Sequence, residues 1–423
     1  MRKPFALLST CLSTLALTTG TIIPFTAHAA SNPIVITFWD TGTITDVQTV
    51  INMFNKKYAG QYKVEFQAPT YNNETEAVNA AVAAHKEPDI MEESFTPSVA
   101  YALEGLEVPL NSLFKMAGIN PAQDFPSSLW NQATVNGIHY AAPTDTLSTL
   151  LFYNKRLFRV AGLNPSKPPV NQQQFVSYAE KLTNRSRGVW GYVQQPGWPN
   201  QFLFPSLIAQ FGGSLANPAA KKMEFNSQAG VEALQFEWNT IYKWKVSPTN
   251  ASNNEYVNLF EKGQNAMVMD GAYDYQPFKE ALGSNLGVAP LPVIGKKESN
   301  FLGQNYWWVF KTPTMNLQKE KGIALFMKFM YEEWSPMVAK AGTLPTWEPT
   351  LKSPLVTKDP ILHLQAQQLQ YGRLNPAIPN WGTTTSQPLY NEINNVLLNK
   401  ETPSQGLNKA AQEMDQTVPA LYP

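Results

Sequence analysis

An alternation of strand-like and helix-like stretches near the start of this chain constrains its fold more than any other feature. Pro33 to Trp39 is a β-branched and aromatic run, which reads as a strand. Val47, Val50, Ile51, Phe54 and Tyr58 then recur at helical spacing, with Thr43 and Thr45 as candidate N-caps. Val64 and Phe66 alternate with Lys63, Glu65 and Gln67 as a second strand. Ala77, Ala80, Ala81 and Ala84 mark a second helix that ends before Pro88, and Asp89-Ile90-Met91 is a third short strand. Strands separated by helices need crossover connections, so this order predicts a parallel sheet covered by helices on both faces.

The same alternation continues in pieces. Leu147 to Tyr153 reads as a strand followed by a helix through Phe158, and Phe175 to Leu182 is helical. Ser252, with Glu255 three residues on and Gly263 beyond, brackets a capped helix. Ala266 to Met269 is a strand, and a helix runs from Glu320 to about Trp334. Pro and Gly cluster at 287–295 and 342–349, a composition suited to crossings between lobes.

The first 29 residues read as a signal peptide. Arg2 and Lys3 precede an apolar or small run from Phe5 to Phe25, and Ala27-His28-Ala29 fits the cleavage pattern. Thr10, Ser13, Thr14, Thr18, Thr19 and Pro24 dilute the run as a membrane anchor, and no later stretch is long and apolar enough to span. The single cysteine, Cys11, lies inside this leader. Leu8-Ser9-Thr10-Cys11 has the outline of a lipidation site, but Thr10 is bulkier than usual and the preceding apolar stretch is short, so a soluble product is expected. The mature chain then has no thiol, disulfide or cysteine-ligated metal, and neither metal nor cofactor is expected. Cleavage leaves 30 basic residues (32 minus 2) against 32 acidic ones, which argues against a nucleic-acid or polyanion partner.

Ligands of open parallel sheets sit beyond the carboxyl ends of the strands, and aromatic–polar clusters fall there. Trp39-Asp40 follows the first strand, Glu92-Glu93-Ser94 the third, and Tyr273-Asp274-Tyr275 the run AMVMDG. Trp307-Trp308 lies in FLGQNYWWVF, where strand alternation would turn one ring inward and one outward. QQPGWPNQF carries Gln194, Gln195 and Trp198, and NPAIPNW carries Trp381. Rings beside carboxylates and amides suit sugars, whose C–H faces stack while their hydroxyls need both donors and acceptors. Trp238 and Trp244, at helical spacing, read as core instead.

Catalytic signatures are scarce. The chain has no G-x-S-x-G, H-E-x-x-H, P-loop or G-x-G-x-x-G, and His85, His139 and His363 are far apart in sequence. A secreted glycoside hydrolase stays open as an alternative, because Glu92, Glu93, Asp145 and Asp270 could supply a carboxylate pair.

Taken in order, ITFWDTG, MFNKKYAGQYKVEF, EPDIMEES, GLEVPLNSLF, GIHYAAPTDTLSTLLFYNKRLFRVAGLNP, LFEKGQNAMVMDGAYD, GTLPT and NPAIPNW resemble the extracellular solute-binding proteins of sugar-type ABC importers. The resemblance covers nearly all of the mature chain. It implies an α/β fold of the type II periplasmic-binding-protein kind, with two lobes joined by hinge crossings and a ligand cleft between them. The lobes would be 30–145 plus 292–345 and 146–291 plus 346–423, with crossings near Thr144–Leu147, Val288–Pro292 and Gly342–Pro345. It implies a monomeric, non-enzymatic protein in the periplasm or at the cell surface that delivers a carbohydrate to permease subunits in the membrane. Carried over position by position, the ligand-binding set is Trp39, Asp40, Glu93, Gln195, Trp198, Tyr273 and Tyr275, with Trp307 and Trp381 as further rings. Arg373, in YGRLNP, resembles an anion clamp of the branch that binds glycerol-3-phosphate, which makes that ligand or a glycerophosphodiester the alternative.

Overall fold

The computed structural model describes residues 32–40, 47–69, 74–197, 200–252 and 254–422. The expected leader with Cys11, the cap candidates Thr43 and Thr45, and Trp198 lie outside these ranges.

Among the described residues, nine strands form one sheet: β1 (Ile34–Asp40), β2 (Tyr62–Gln67), β3 (Ile90–Ser94), β4 (Ala141–Asn154), β5 (Met267–Gly271), β6 (Leu286–Pro290), β7 (Asn300–Val309), β8 (Leu344–Pro345) and β9 (Gly372–Arg373). The order is β6-β4-β7-β3-β1-β2, with β5 and β8 also pairing with β4 and β9 with β7. The expected parallel arrangement holds for β2, β1 and β3, which helices α1 (Val47–Lys57) and α2 (Glu74–Ala83) connect. Beyond them only the two-residue β9 pairs in parallel, with β7; β7 itself runs antiparallel to both β3 and β4. The chain reaches β7 on a return crossing from the other half of the molecule, so no strand–helix–strand unit dictates its direction.

The expected strand Leu147–Tyr153 is longer than its apolar run. β4 spans 14 residues. Its first part, Ala141 to Ser148, pairs with β7; its second, Thr149 to Tyr153, pairs with β5, and Leu150 to Asn154 with β6. One strand therefore serves two cores. The first gathers Ile36, Phe38, Phe54 and Val64 around helix α5 (Leu317–Glu333), where Phe326 meets Phe38 and Phe54 edge-on with centroids 5.6 and 5.1 Å apart. The second gathers Leu151, Phe158, Phe175, Leu207 and Met267 with Ile378, Leu389 and Leu407 from the C-terminal region. Burying aromatic rings this completely makes each Phe→Ala change cost roughly 3–5 kcal/mol.

Two expectations fail here for packing reasons. Trp307 and Trp308 do alternate, but both are buried, in separate clusters on opposite faces. Helices cover both faces of this part of the sheet, so neither ring turns out to solvent. The stretch after 345 was expected to pack entirely with the second lobe. Instead Leu351, Val356, Leu362, Leu369 and Leu374 cluster with Phe95 and Val99 of helix α3 (Phe95–Leu103) and with Leu129, beside the first core. Ile361 and Leu364, on another face of the helix Pro360–Gln368, touch the Phe152–Phe278 cluster. The chain joins the second core only from Ile378 onward.

The helix expected from Ser252 begins at Glu255. Half of its capping box survives: the Ser252 N–H donates to Glu255 Oε2 at 3.0 Å. Gly263 adopts φ 68° at the far end, the left-handed turn that favours glycine.

Candidate functional site

β1 and β3 end side by side, with Asp40 paired in register with Glu92. Beyond them opens a cavity of about 610 Å³. One wall is acidic and polar, carrying Glu93, Asp145, Gln304 and Asn305; the other carries Phe202, Tyr273 and Phe301. Among the described residues that line it there is no Lys, Arg or His.

A β-bulge builds the acidic wall. Asn305 of β7 faces Asp145, but the next residue, Tyr306, faces Pro143, so Thr144 is left over on β4. Bulges re-aim side chains and commonly sit beside binding sites. The freed backbone is held from outside: the Thr346 hydroxyl donates to the Pro143 carbonyl at 2.8 Å and lies 2.9 Å from that of Thr144, and the Tyr331 hydroxyl donates to the Pro143 carbonyl at 2.9 Å. Thr144 Oγ1 then lies 3.2 Å from Glu92 Oε1 and 3.1 Å from Asp145 Oδ2.

That contact favours a proton on one of the two carboxyls. A hydroxyl has one hydrogen, so it donates to one carboxyl and can only accept from the other. For both contacts to be hydrogen bonds, Glu92 or Asp145 must carry a proton. The electrostatics agree. Burial, then the charges of Asp40 and Asp145, hold Glu92 well above the usual carboxylate range. Burial pushes Asp145 up to about 7, although the Thr144 and Asn305 hydrogen bonds pull it down. The Asn305 amide sits 3.4 Å from both Asp145 oxygens. Near neutral pH this wall can therefore both donate and accept hydrogen bonds.

The opposite wall comes from the first turn of helix α4 (Asn200–Gln210) and from the end of β5. The Phe202 ring meets Tyr273 and Phe301 at 5.4 Å, both edge-on. Gly303 eases the close approach of α4 to the sheet: a Cβ there would lie 3.0 Å from the Phe202 ring and 3.1 Å from Leu147, so both side chains would have to shift by a few tenths of an ångström. Tyr273 is oriented by Asp270, whose Oδ1 accepts from its hydroxyl at 2.6 Å while Oδ2 accepts from Tyr256 at 2.5 Å. Pro205, inside α4, has no N–H to give the Gln201 carbonyl one turn back, and Gln201 also lines the cavity.

Of the residues expected at the site, the structure brings Glu93 and Tyr273 together on this cavity. Asp40 is buried beside Glu92 and acts on it through its charge. Trp39 is half-buried against the cluster of Met91, Tyr101 and Trp308, away from the lining residues. Gln195 is fully buried and donates to the Met269 carbonyl at 2.7 Å, which makes it a brace behind β5. Tyr275 packs against the Phe152–Phe278 cluster. Trp307 and Trp381 are core residues, although Gly382 and Thr383, next to Trp381, do line the cavity. Arg373 is exposed and lies outside it. In the sequence Asp145 stands out only as a candidate catalytic carboxylate, and Asn305, Gln304, Phe202 and Phe301 carry no motif. Gln304-Asn305 interrupting the apolar strand FLGQNYWWVF was the signal available for two of them.

Residues 41–333 match the family model described as bacterial extracellular solute-binding protein. A similar curated protein is the sn-glycerol-3-phosphate-binding periplasmic protein UgpB of Pectobacterium atrosepticum, 26% identical over 403 residues, covering 87% of this chain and 86% of that one. Another is the diacetylchitobiose binding protein DasA of Streptomyces coelicolor, 24% identical over 338 residues, 77% of this chain and 76% of that one. Among solved structures, the cyclic alpha-maltosyl-1,6-maltose binding protein of Arthrobacter globiformis superposes with a TM-score of 0.78 at 20% identity, over 92% of this chain and 99% of the other. The fold is thus the mixed α/β fold of type II periplasmic binding proteins, and the chain belongs to the bacterial extracellular solute-binding protein family that serves ABC importers.

Proposed function

We propose that this protein captures a sugar or oligosaccharide in the cavity between Glu93, Asp145 and Phe202 and delivers it to a membrane permease. One observation carries the reading: the cavity sets two carboxyls and the amides of Gln304 and Asn305 against aromatic rings, with no cationic side chain among its described lining. A sugar offers hydroxyls to the first wall and C–H faces to the second. A phosphate monoester would instead place two negative charges beside Asp145 and Glu93 without a counter-ion. UgpB relatives make glycerol-3-phosphate the competing ligand, but Arg373, its expected clamp, is not on this cavity.

The remaining parts of the reading follow the family. The segment 1–29 directs export and is removed, and the product is a soluble monomer. The two lobes close over the ligand about the crossings near β4, β6 and β8, with Asp40 behind Glu92 supporting the acidic wall. No bond is made or broken. Trp198 supplies a further ring. A thermal-shift screen with mono- and oligosaccharides, glycerol-3-phosphate and glycerophosphocholine tests this, since a solute that binds only the native state raises the midpoint with its excess over Kd. A midpoint raised by a saccharide and by neither phosphate ester is expected; the reverse would overturn the reading. Unchanged saccharide after long incubation separates binding from hydrolysis.

A further inference from the structure

A second cavity, about 530 Å³, adjoins the first. Leu374 and Asn375 line both. So does α4: Gln201 and Phe202 face the first cavity, Pro205, Ile208 and Ala209 the second. Positions offset by one, four, seven and eight residues fall on one face of a helix. At about 1.5 Å of rise per residue, that face is about 12 Å long. The two cavities therefore lie end to end along α4 and meet at Leu374 and Asn375.

Their chemistry differs along the helix. The first stretch is acidic. The second carries Arg373 with Asn136 and Asn217. Within the described residues Arg373 pairs with no acidic side chain; its bond is to the neighbouring Gly372 carbonyl, at 2.9 Å. A guanidinium with uncommitted N–H groups beside amides is a set of donors for sugar oxygens.

We infer that the two cavities form one trough, which takes a linear oligosaccharide, one ring in the acidic stretch and its continuation against Arg373 and Asn217. This deepens the sugar reading and rests on it. Titration calorimetry on the full mature chain tests it with three homologous series, each from one to four units: glucose joined α-1,4, glucose joined β-1,4, and N-acetylglucosamine joined β-1,4. Ala219→Trp fills the second stretch from an exposed lining position, and Arg373→Ala removes its cation; unchanged unfolding midpoints verify both folds. In the series that binds, affinity should rise at least tenfold from the shortest to the longest member. Ala219→Trp should abolish that rise while leaving the shortest binder unchanged, and Arg373→Ala should reduce it several-fold. Equal affinity across the lengths, or a rise that survives Ala219→Trp, overturns the trough while leaving the sugar reading standing. Binding by no member of any series, together with no saccharide raising the midpoint in the thermal-shift screen, overturns the sugar reading, and the trough falls with it.

Discussion

The two ends of β3 carry buried acids in opposite states of hydrogen-bond completion. Asp89, just before β3, and Glu92-Glu93, at its other end, are all buried. Asp89 is fully supplied: the Thr37 N–H and hydroxyl donate to it at 2.9 and 3.1 Å, the Thr312 hydroxyl at 2.8 Å, and Lys319 Nζ at 2.8 Å brings a counter-charge. At the carboxyl end, Glu92 and Asp145 share one threonine hydroxyl. The first acid is complete without a ligand. The second pair leaves acceptor capacity beside a cavity, at the end of the sheet where ligands bind in open α/β folds.

The largest expected effect breaks the completed end. Asp89→Ala leaves Lys319 buried without its partner and should cost about 3–5 kcal/mol of stability, read by denaturant unfolding, while ligand affinity of the folded fraction stays within twofold. The open end should behave in the opposite way. Asp145→Asn should cost little stability but weaken binding of the screened solute by roughly 10- to 100-fold, the loss of a hydrogen bond to a charged group, measured by calorimetry.

The same pair predicts a pH dependence. Asp145 sits at about 7 in the native protein, above its ordinary 3.8. Its native environment therefore favours the protonated form. That contribution is full below about 3.8 and is given up as pH rises through about 7. Wild-type stability should fall by about 4 kcal/mol between pH 4 and 8 from this group, and Asp145→Asn should flatten the slope. A slope unchanged in the variant would assign the titration elsewhere.

The smallest effect concerns Trp39. Packed half-buried against Met91 and Trp308, it should alter affinity less than fivefold when changed to Phe, with a stability loss of about 1 kcal/mol. A larger loss of affinity at constant stability would return it to the ligand.

How far the sequence made this legible follows from the same contrast. Periodicity exposed β1 to β3 and their helices because each is a local pattern with one buried face. It failed at β7, whose direction depends on a return crossing, and at Trp307, because alternation says which face a ring takes but not whether a helix covers that face. Glu93 was legible as the polar end of a short apolar strand. Asp145 and Asn305 were not, since their role comes from a bulge that exists only when β4 and β7 pair. Of the positions carried over by resemblance, Gln195, Tyr275 and Trp381 lie behind the lining of the cavity rather than on it.

A crystal structure with the solute that raises the unfolding midpoint most tests the central claim directly. The account predicts ligand hydroxyls within hydrogen-bonding distance of Glu93 and Asp145, with a C–H face against Phe202 or Tyr273. A ligand bound elsewhere, or one whose phosphate lies in this cavity, would contradict it.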